Sequence, residues 1–182
     1  MRILQIVDTK NWAIGHLADI PVRHLPHFHF KTLYIHPREV NDRAVDQVRE
    51  WLDWADIVDF QYWNTARQLL DLIPELKNKK SILTHHNQKD LLGYDWRSIT
   101  KHVVHTQYAA HVLQEAGYDN VSIIPYGFDL DYFSYREELN KEKVVGYVGR
   151  IVPWKGLKEI ARACFELGYK LMIMGKMDKP IS

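Results

Sequence analysis

Residues 144–156 read Val-Val-Gly-Tyr-Val-Gly-Arg-Ile-Val-Pro-Trp-Lys-Gly. This pattern predicts a buried strand, a glycine turn and a helix that opens at Lys155. A helix N-terminus offers free N–H groups and a positive dipole end, so Arg150 and Lys155 would make the turn suitable for a diphosphate. Gly149 has no Cβ atom, which would let a phosphate approach its backbone closely. The same residues also fit an ordinary strand-to-helix turn with two solvated cations.

Strand and helix patterns alternate along the whole chain outside this stretch. Apolar runs predict six strands before it, at residues 2–7, 28–35, 57–62, 81–84, 102–105 and 121–124. Helical spacing of apolar residues separates most of them, for example over 38–55. Such alternation predicts an α/β fold with a parallel sheet and helices on both faces. Ligands of these sheets bind at the carboxyl ends of the strands.

The chain divides into an N-terminal domain, a linker and the start of a second domain. Residues 1–133 carry the six predicted strands, residues 134–143 are mostly charged, and residues 144–182 begin a second β-α-β pattern. About 40 residues are too few to close a core of their own. These residues must pack against the first domain, pair with another chain, or belong to a longer protein that was cut. The last explanation is preferred.

Composition and charge exclude several classes of protein. Lys plus Arg number 24 and Asp plus Glu 23 among 182 residues, so the chain has no overall basic footprint for nucleic acid. Its single cysteine, Cys164, excludes an intrachain disulfide, fits a reducing compartment and falls on the apolar face of a predicted helix. The first residues enter a strand directly, and no apolar run approaches the ~20 residues of a membrane span. A cytoplasmic location is therefore expected.

Four segments together resemble the retaining GT-B glycosyltransferases of the large family-four group. Ile-Ile-Pro-Tyr-Gly-Phe-Asp at 123–129 is similar to the family's Ile-Pro-Asn-Gly-Val-Asp, and Val-Gly-Arg followed by Lys-Gly at 148–156 is similar to its Val-Gly-Arg…Lys-Gly. Thr-His-His-Asn at 84–87 and Val-His-Thr-Gln at 104–107 resemble its Thr-x-His-Asn/Asp and Val-Ser segments. Two departures stand out: Tyr126 replaces the usual Asn, and the chain contains no Glu-x7-Glu segment of the second domain.

The resemblance implies two facing Rossmann-like domains and transfer of a sugar from a nucleotide-diphosphate-sugar with retention of configuration. Gly149, Arg150 and Lys155 would bind the diphosphate, and the two cations would stabilise its developing charge. His86 would sit beside the donor sugar and give it a hydrogen bond. The nucleotide-sugar is then a substrate, and no cofactor or metal is expected.

The acceptor side of the site would include the loop around Gly15, together with Trp12 and Asn87. His86, Gly15 and Trp12 each also have a simpler explanation. His86 could cap strand-end carbonyls, Gly15 could be an ordinary loop or helix-start glycine, and Trp12 could pack rather than stack on a sugar. The four histidines at 24, 27, 29 and 36 lie around a Pro turn and a strand without Cys or acidic partners nearby in sequence, which argues against a metal site.

Other functions and partners stay open at this point. The chain could be a glycosyltransferase fragment with little activity of its own, a non-catalytic binding module, or a nucleotide-sugar epimerase or glycan phosphorylase of the same architecture. Its acceptor could be a carbohydrate, a lipid-linked molecule or another small molecule. The basic run at 77–80 is most simply a solvated helix end, although peripheral contact with the inner face of an anionic membrane is an alternative. The incomplete second domain could also mediate self-association.

Overall fold

The structure, a computed structural model, describes residues 1–86, 93–131, 133 and 143–176. The chain forms two compact units, Met1–Phe133 and Ser134–Ser182. Asn87 and nearly all of the predicted linker, residues 134–142, lie outside the described residues. In the described part of the chain, every helix is too short or too polar to span a bilayer.

The first unit is built on a six-stranded parallel sheet with the strand order β2-β1-β3-β4-β5-β6. Its strands are β1 Arg2–Val7, β2 His29–Tyr34, β3 Ile57–Phe60, β4 Ser81–Thr84, β5 Lys101–Val104 and β6 Val121–Ile123. Its α-helices are α1 Ala13–His24, α2 Asp42–Leu52, α3 Trp63–Leu72 and α4 Gln107–Glu115. The predicted α/β class with a parallel sheet flanked by helices is confirmed.

Two helix ends show how short polar side chains set the boundaries. The helix predicted from residue 38 begins only at Asp42, because residues Pro37–Glu39 form a 3-10 turn and Asn41 caps the helix. The Asn41 Oδ1 accepts a hydrogen bond from the Ala44 N–H at 3.2 Å. Likewise, the Thr106 hydroxyl accepts from the Ala109 N–H at 3.2 Å and starts α4 directly after β5.

The hydrophobic core of the first unit packs one face of the sheet against α2 and α3. Its largest fully buried side chains include Trp96, Phe60, Leu4, Leu69 and Leu83. Alternate residues of the short strands point into this core, as the period of two in a strand requires. The register then places the carboxyl ends of neighbouring strands side by side.

The second unit consists of two parallel strands, β7 Val144–Val148 and β8 Lys170–Met174, joined through α5 Leu157–Leu167. The prediction that the helix begins at Lys155 is wrong by two residues, because α5 begins at Leu157. Pro153–Lys155 form a 3-10 turn, and Gly156 then has a φ of +69°, which favours glycine and separates this turn from α5. Cys164 is buried on α5, as its apolar surroundings in the sequence predicted.

Gly15 lies in the first turn of α1, where the helix touches the preceding loop. A Cβ atom at this position would lie 2.3 Å from the Thr9 carbonyl oxygen and 2.5 Å from that of Lys10. Real Cβ atoms do not approach backbone atoms so closely, so the loop or the helix would have to move. The glycine is therefore required by packing of loop against helix.

We expect Gly15→Ala to destabilise the first unit by about 2 kcal/mol, because overpacking outweighs the better helix propensity of Ala. Urea unfolding followed by tryptophan fluorescence would measure the change. Gly127→Ala is the matched control, since a Cβ atom there meets nothing within 4 Å. Equal stability of the two variants would show that the loop relaxes without cost.

Candidate functional site

Four histidines gather where β4 and β5 end. His85 and His86 follow β4 directly, His105 follows β5, and His102 lies within β5. The register pairs Thr84 with Val103, so the two strands bring these side chains to one edge of the sheet. Successive residues of an extended chain point to opposite sides, so His85 and His86 enter different environments.

His85 and His102 form a buried pair. The side chains are 4% and 0% exposed, and His85 Nε2 lies 3.0 Å from His102 Nδ1, so that one N–H is shared between them. The outer nitrogens, His85 Nδ1 and His102 Nε2, are buried without a hydrogen-bond partner among the described residues. Burial lowers the pKa of His85 to about 3 and that of His102 to about 4. Both imidazoles are therefore uncharged at neutral pH.

His86 belongs to a second group with His105 and Tyr126. The Tyr126 ring stacks on His105 at a centroid distance of 3.7 Å, and its hydroxyl lies 3.2 Å from His86 Nδ1. His105 donates its Nδ1–H to the Ile124 carbonyl at 2.7 Å, which fixes its tautomer while it is neutral. Burial, with the nearby charge of His105 as a second cause, lowers the pKa of His86 to about 4. His86 therefore presents a neutral ring held by Tyr126.

A cavity of about 660 Å³ opens beside His86 within the first unit. One wall is the side of α1 that carries Ala13, Leu17 and Ile20, at the spacing of one helix face. The other wall is the segment from Tyr126 onward, which follows the last strand of the sheet. The complete lining in the described part of the chain is Ala13, Ile14, His16, Leu17, Ile20, Arg23, His86, Tyr126, Gly127, Phe128, Asp129 and Phe133.

The two walls are joined by an ion pair. Arg23 of α1 donates from its guanidinium to the Asp129 carboxylate, whose side chain is 6% exposed. Burial tends to raise the pKa of Asp129, but the Arg23 charge and the Asp131 N–H outweigh it, so the pKa is lowered. Ligand atoms of His24, Asp129 and Asp131 lie within 4.8 Å of one another, a group that the sequence did not suggest. Because Arg23 already neutralises Asp129, the charge available to a cation there is small.

The predicted site residues of the first unit take different places. His86, predicted to lie beside the donor sugar, lines the cavity. Gly15, predicted for the acceptor side, is buried next to the loop backbone and is absent from the described lining. Trp12 is 56% exposed just before α1 and is also absent from the lining among described residues. Asn87 lies outside the described residues.

The residues predicted for the donor side lie close to one another in the second unit. Gly149, Arg150 and Lys155 flank one turn after β7, and the Arg150 carbonyl accepts from the Tyr147 hydroxyl at 2.7 Å. Both cationic residues are exposed. The Gly149 N–H donates to the Met174 carbonyl at 3.0 Å, so it continues the strand pairing.

Sequence reasoning missed most of the polar residues around His86. His105 lay inside a quoted motif, and the alternation of the strand ends could have placed it near His86. The pairing of His85 with His102 could also have been suspected from strand register. The Arg23–Asp129 pair joins residues 106 positions apart and has no signal in one sequence.

Comparison with known proteins establishes the fold. No protein-family model matches the chain, and no curated protein matches its sequence. The structure is similar to that of Anabaena Alr3699/HepE in complex with UDP-glucose, with a TM-score of 0.61 and 13% identity over 97% of this chain and 69% of that one. The structure of HepE in complex with UDP and glucose is also similar, with a TM-score of 0.56 and 13% identity over 98% of this chain and 70% of that one. The chain thus has a Rossmann-like α/β fold that it shares with HepE.

Proposed function

We propose that this chain is part of a retaining glycosyltransferase that moves a sugar from a nucleotide-diphosphate-sugar to an acceptor hydroxyl. The first unit would bind the acceptor, and the turn of the second unit would bind the donor diphosphate. A cytoplasmic setting, where nucleotide-sugars would be available, completes the proposal.

One observation carries this proposal. An uncharged histidine, His86, lines a ligand-sized cavity at the carboxyl edge of the parallel sheet, the place where such sheets bind ligands. The fold around it is shared with HepE, whose structures contain UDP-glucose or UDP and glucose. A neutral imidazole can hydrogen-bond a sugar hydroxyl without bringing a positive charge close to the oxocarbenium-like centre of the transition state.

The proposed reaction needs little from the protein beyond positioning and charge. The bond between the sugar's anomeric carbon and the diphosphate oxygen breaks, and the acceptor oxygen forms a new bond on the same face. The acceptor proton passes to a diphosphate oxygen, so no separate general base is required. Arg150 would hold the diphosphate through its planar fork and Lys155 as a point charge, which stabilises the leaving group.

In the complete enzyme of which this chain is proposed to be a part, we expect His86→Ala to lower the transfer rate by about 100-fold, as for the loss of one preorganised donor at a reacting centre. Transfer from UDP-glucose and other nucleotide-sugars would be followed by mass spectrometry, with the anomeric configuration read by NMR. His27→Ala is the matched control, because His27 is exposed and is not among the described residues that line the cavity.

Four results would contradict the proposal. One is an unchanged rate in His86→Ala, and another is the opposite anomer in the product. Formation of an epimerised nucleotide-sugar, or a reaction that depends on inorganic phosphate, would assign the same fold to an epimerase or a phosphorylase instead.

A further inference from the structure

We infer that the acceptor is an amphiphile whose uncharged apolar body fills the cavity beside His86 and whose hydroxyl reaches the sheet edge. This inference rests on the proposed function, because it names the substrate class of the same site. It is drawn from the cavity's lining, its charge and its size.

The lining of the cavity is mostly apolar. Half of its residues are Ala, Ile, Leu or Phe, and these come from both walls. Phe128 and Phe133 meet edge to face at 6.2 Å, and they are 73% and 59% exposed. Covering such exposed rings with an apolar group is favourable by roughly 25 cal/mol for each Å² of apolar surface removed from water.

The charges of the cavity cancel. Arg23 and Asp129 are the charged lining residues in the described part of the chain, and they bind each other. An anionic ligand would have to compete with Asp129 for Arg23, and a cationic ligand would have to compete with Arg23 for Asp129. A neutral ligand disturbs neither, so the electrostatics favour an uncharged body.

The size of the cavity and its few hydrogen-bonding groups argue against a free sugar. A volume of about 660 Å³ is that of a pocket for a drug-sized molecule. A free sugar of several rings would bury many hydroxyls against Leu17, Ile20 and Phe128, and each unpaired hydroxyl costs about 1–3 kcal/mol. An alkyl or aromatic body avoids this cost and leaves one polar end at His86.

The test uses methyl, hexyl and octyl β-D-glucopyranosides, which share one sugar and differ in apolar length. Binding to the 182-residue chain would be measured by calorimetry without nucleotide, below the micelle concentration of each compound. We expect about tenfold tighter binding for the octyl than for the hexyl compound, since two methylenes are added, and no detectable binding of the methyl compound. Equal affinity for all three would overturn the inference.

Two variants locate the binding. Leu17→Asn places a polar amide on the α1 wall, and Ala13→Trp fills the cavity from an exposed position where folding is little affected. Each should weaken octyl glucoside binding at least about tenfold. Leu72→Asn is the matched control on α3, where the side chain is half exposed and outside the cavity. Unchanged binding in both cavity variants would contradict the inference.

Failure of the inference and failure of the proposed function give different results. Octyl glucoside binding at the cavity, with no nucleotide-sugar bound or consumed, would overturn the glycosyltransferase proposal and leave an apolar-ligand site. Transfer of sugar to free glucose as fast as to octyl glucoside would overturn the amphiphilic acceptor and leave the glycosyltransferase.

Discussion

Lowering the pH from 7 to 5 should destabilise the first unit by about 6 kcal/mol, close to the whole stability of a typical domain. The cause is a set of three histidines: His85 and His102 are buried, and His86 is half-buried. Their pKa values are lowered to about 3 for His85 and to about 4 for His86 and His102. Burial is the main cause in each case, because the folded chain cannot solvate an imidazolium there.

The direction of the effect follows from the proton balance. An unfolded histidine titrates near pH 6.5. Below that pH these histidines bind protons in the unfolded chain but stay neutral in the folded chain. The stability from these groups is therefore complete above pH 6.5 and falls as the pH approaches 4. Each of the three contributes about 2 kcal/mol of the loss at pH 5. The unfolding free energy should change by about 4 kcal/mol for each pH unit between these limits.

Urea unfolding at a series of pH values, followed by tryptophan fluorescence, measures this change in unfolding free energy per pH unit. His102→Gln removes one titrating group while keeping a side chain that can hydrogen-bond His85, so the change in unfolding free energy per pH unit should drop by about one third. His27→Gln, at an exposed position, should leave the slope unchanged. A stability that stays constant from pH 7 to 5 would contradict the buried neutral cluster.

The double variant Arg150→Ala, Lys155→Ala should abolish nucleotide-sugar binding and lower transfer by about 1,000-fold or more. Both cations flank the turn after β7, and the proposal assigns both to the diphosphate. Loss of their charges would leave a leaving group stabilised by backbone N–H groups alone. Calorimetry with UDP-glucose and single-turnover kinetics would separate binding from chemistry.

The matched control for the double variant is Lys158→Ala, Arg162→Ala. It removes two cations as well, from exposed positions on α5, so the net charge of the two variants is equal. This control should bind UDP-glucose as the unchanged chain does. Equal binding by both double variants would mean that the turn does not hold the diphosphate, and the donor side of the proposal would fail.

The strands and their order in the sequence were predictable because each is a short apolar run bounded by turn residues. The ends of the helices were less predictable, since α2 and α5 begin later than predicted. Asn41 sets the start of α2 as a capping residue, and the left-handed backbone of Gly156 sets the start of α5. These boundaries depend on local hydrogen bonds that apolar periodicity does not record.

The site was predictable only where its residues follow directly from a strand end. His86 could be placed at the cavity edge because it follows β4. The apolar wall of α1 could not be predicted, because apolar residues that face a cavity have the same spacing along a helix as apolar residues that face a core. The Arg23–Asp129 pair required the distance between α1 and the segment after β6, which only the folded chain supplies.

The α1 wall lies apart from the packed interior. Ala13, Ile14, Leu17 and Ile20 bound the cavity, yet none belongs to the cluster of residues that holds the sheet to α2 and α3. Under the proposed function, acceptor selectivity and foldability are therefore carried by different side chains. Randomising these four positions should change the acceptor preference while the scaffold keeps its melting temperature.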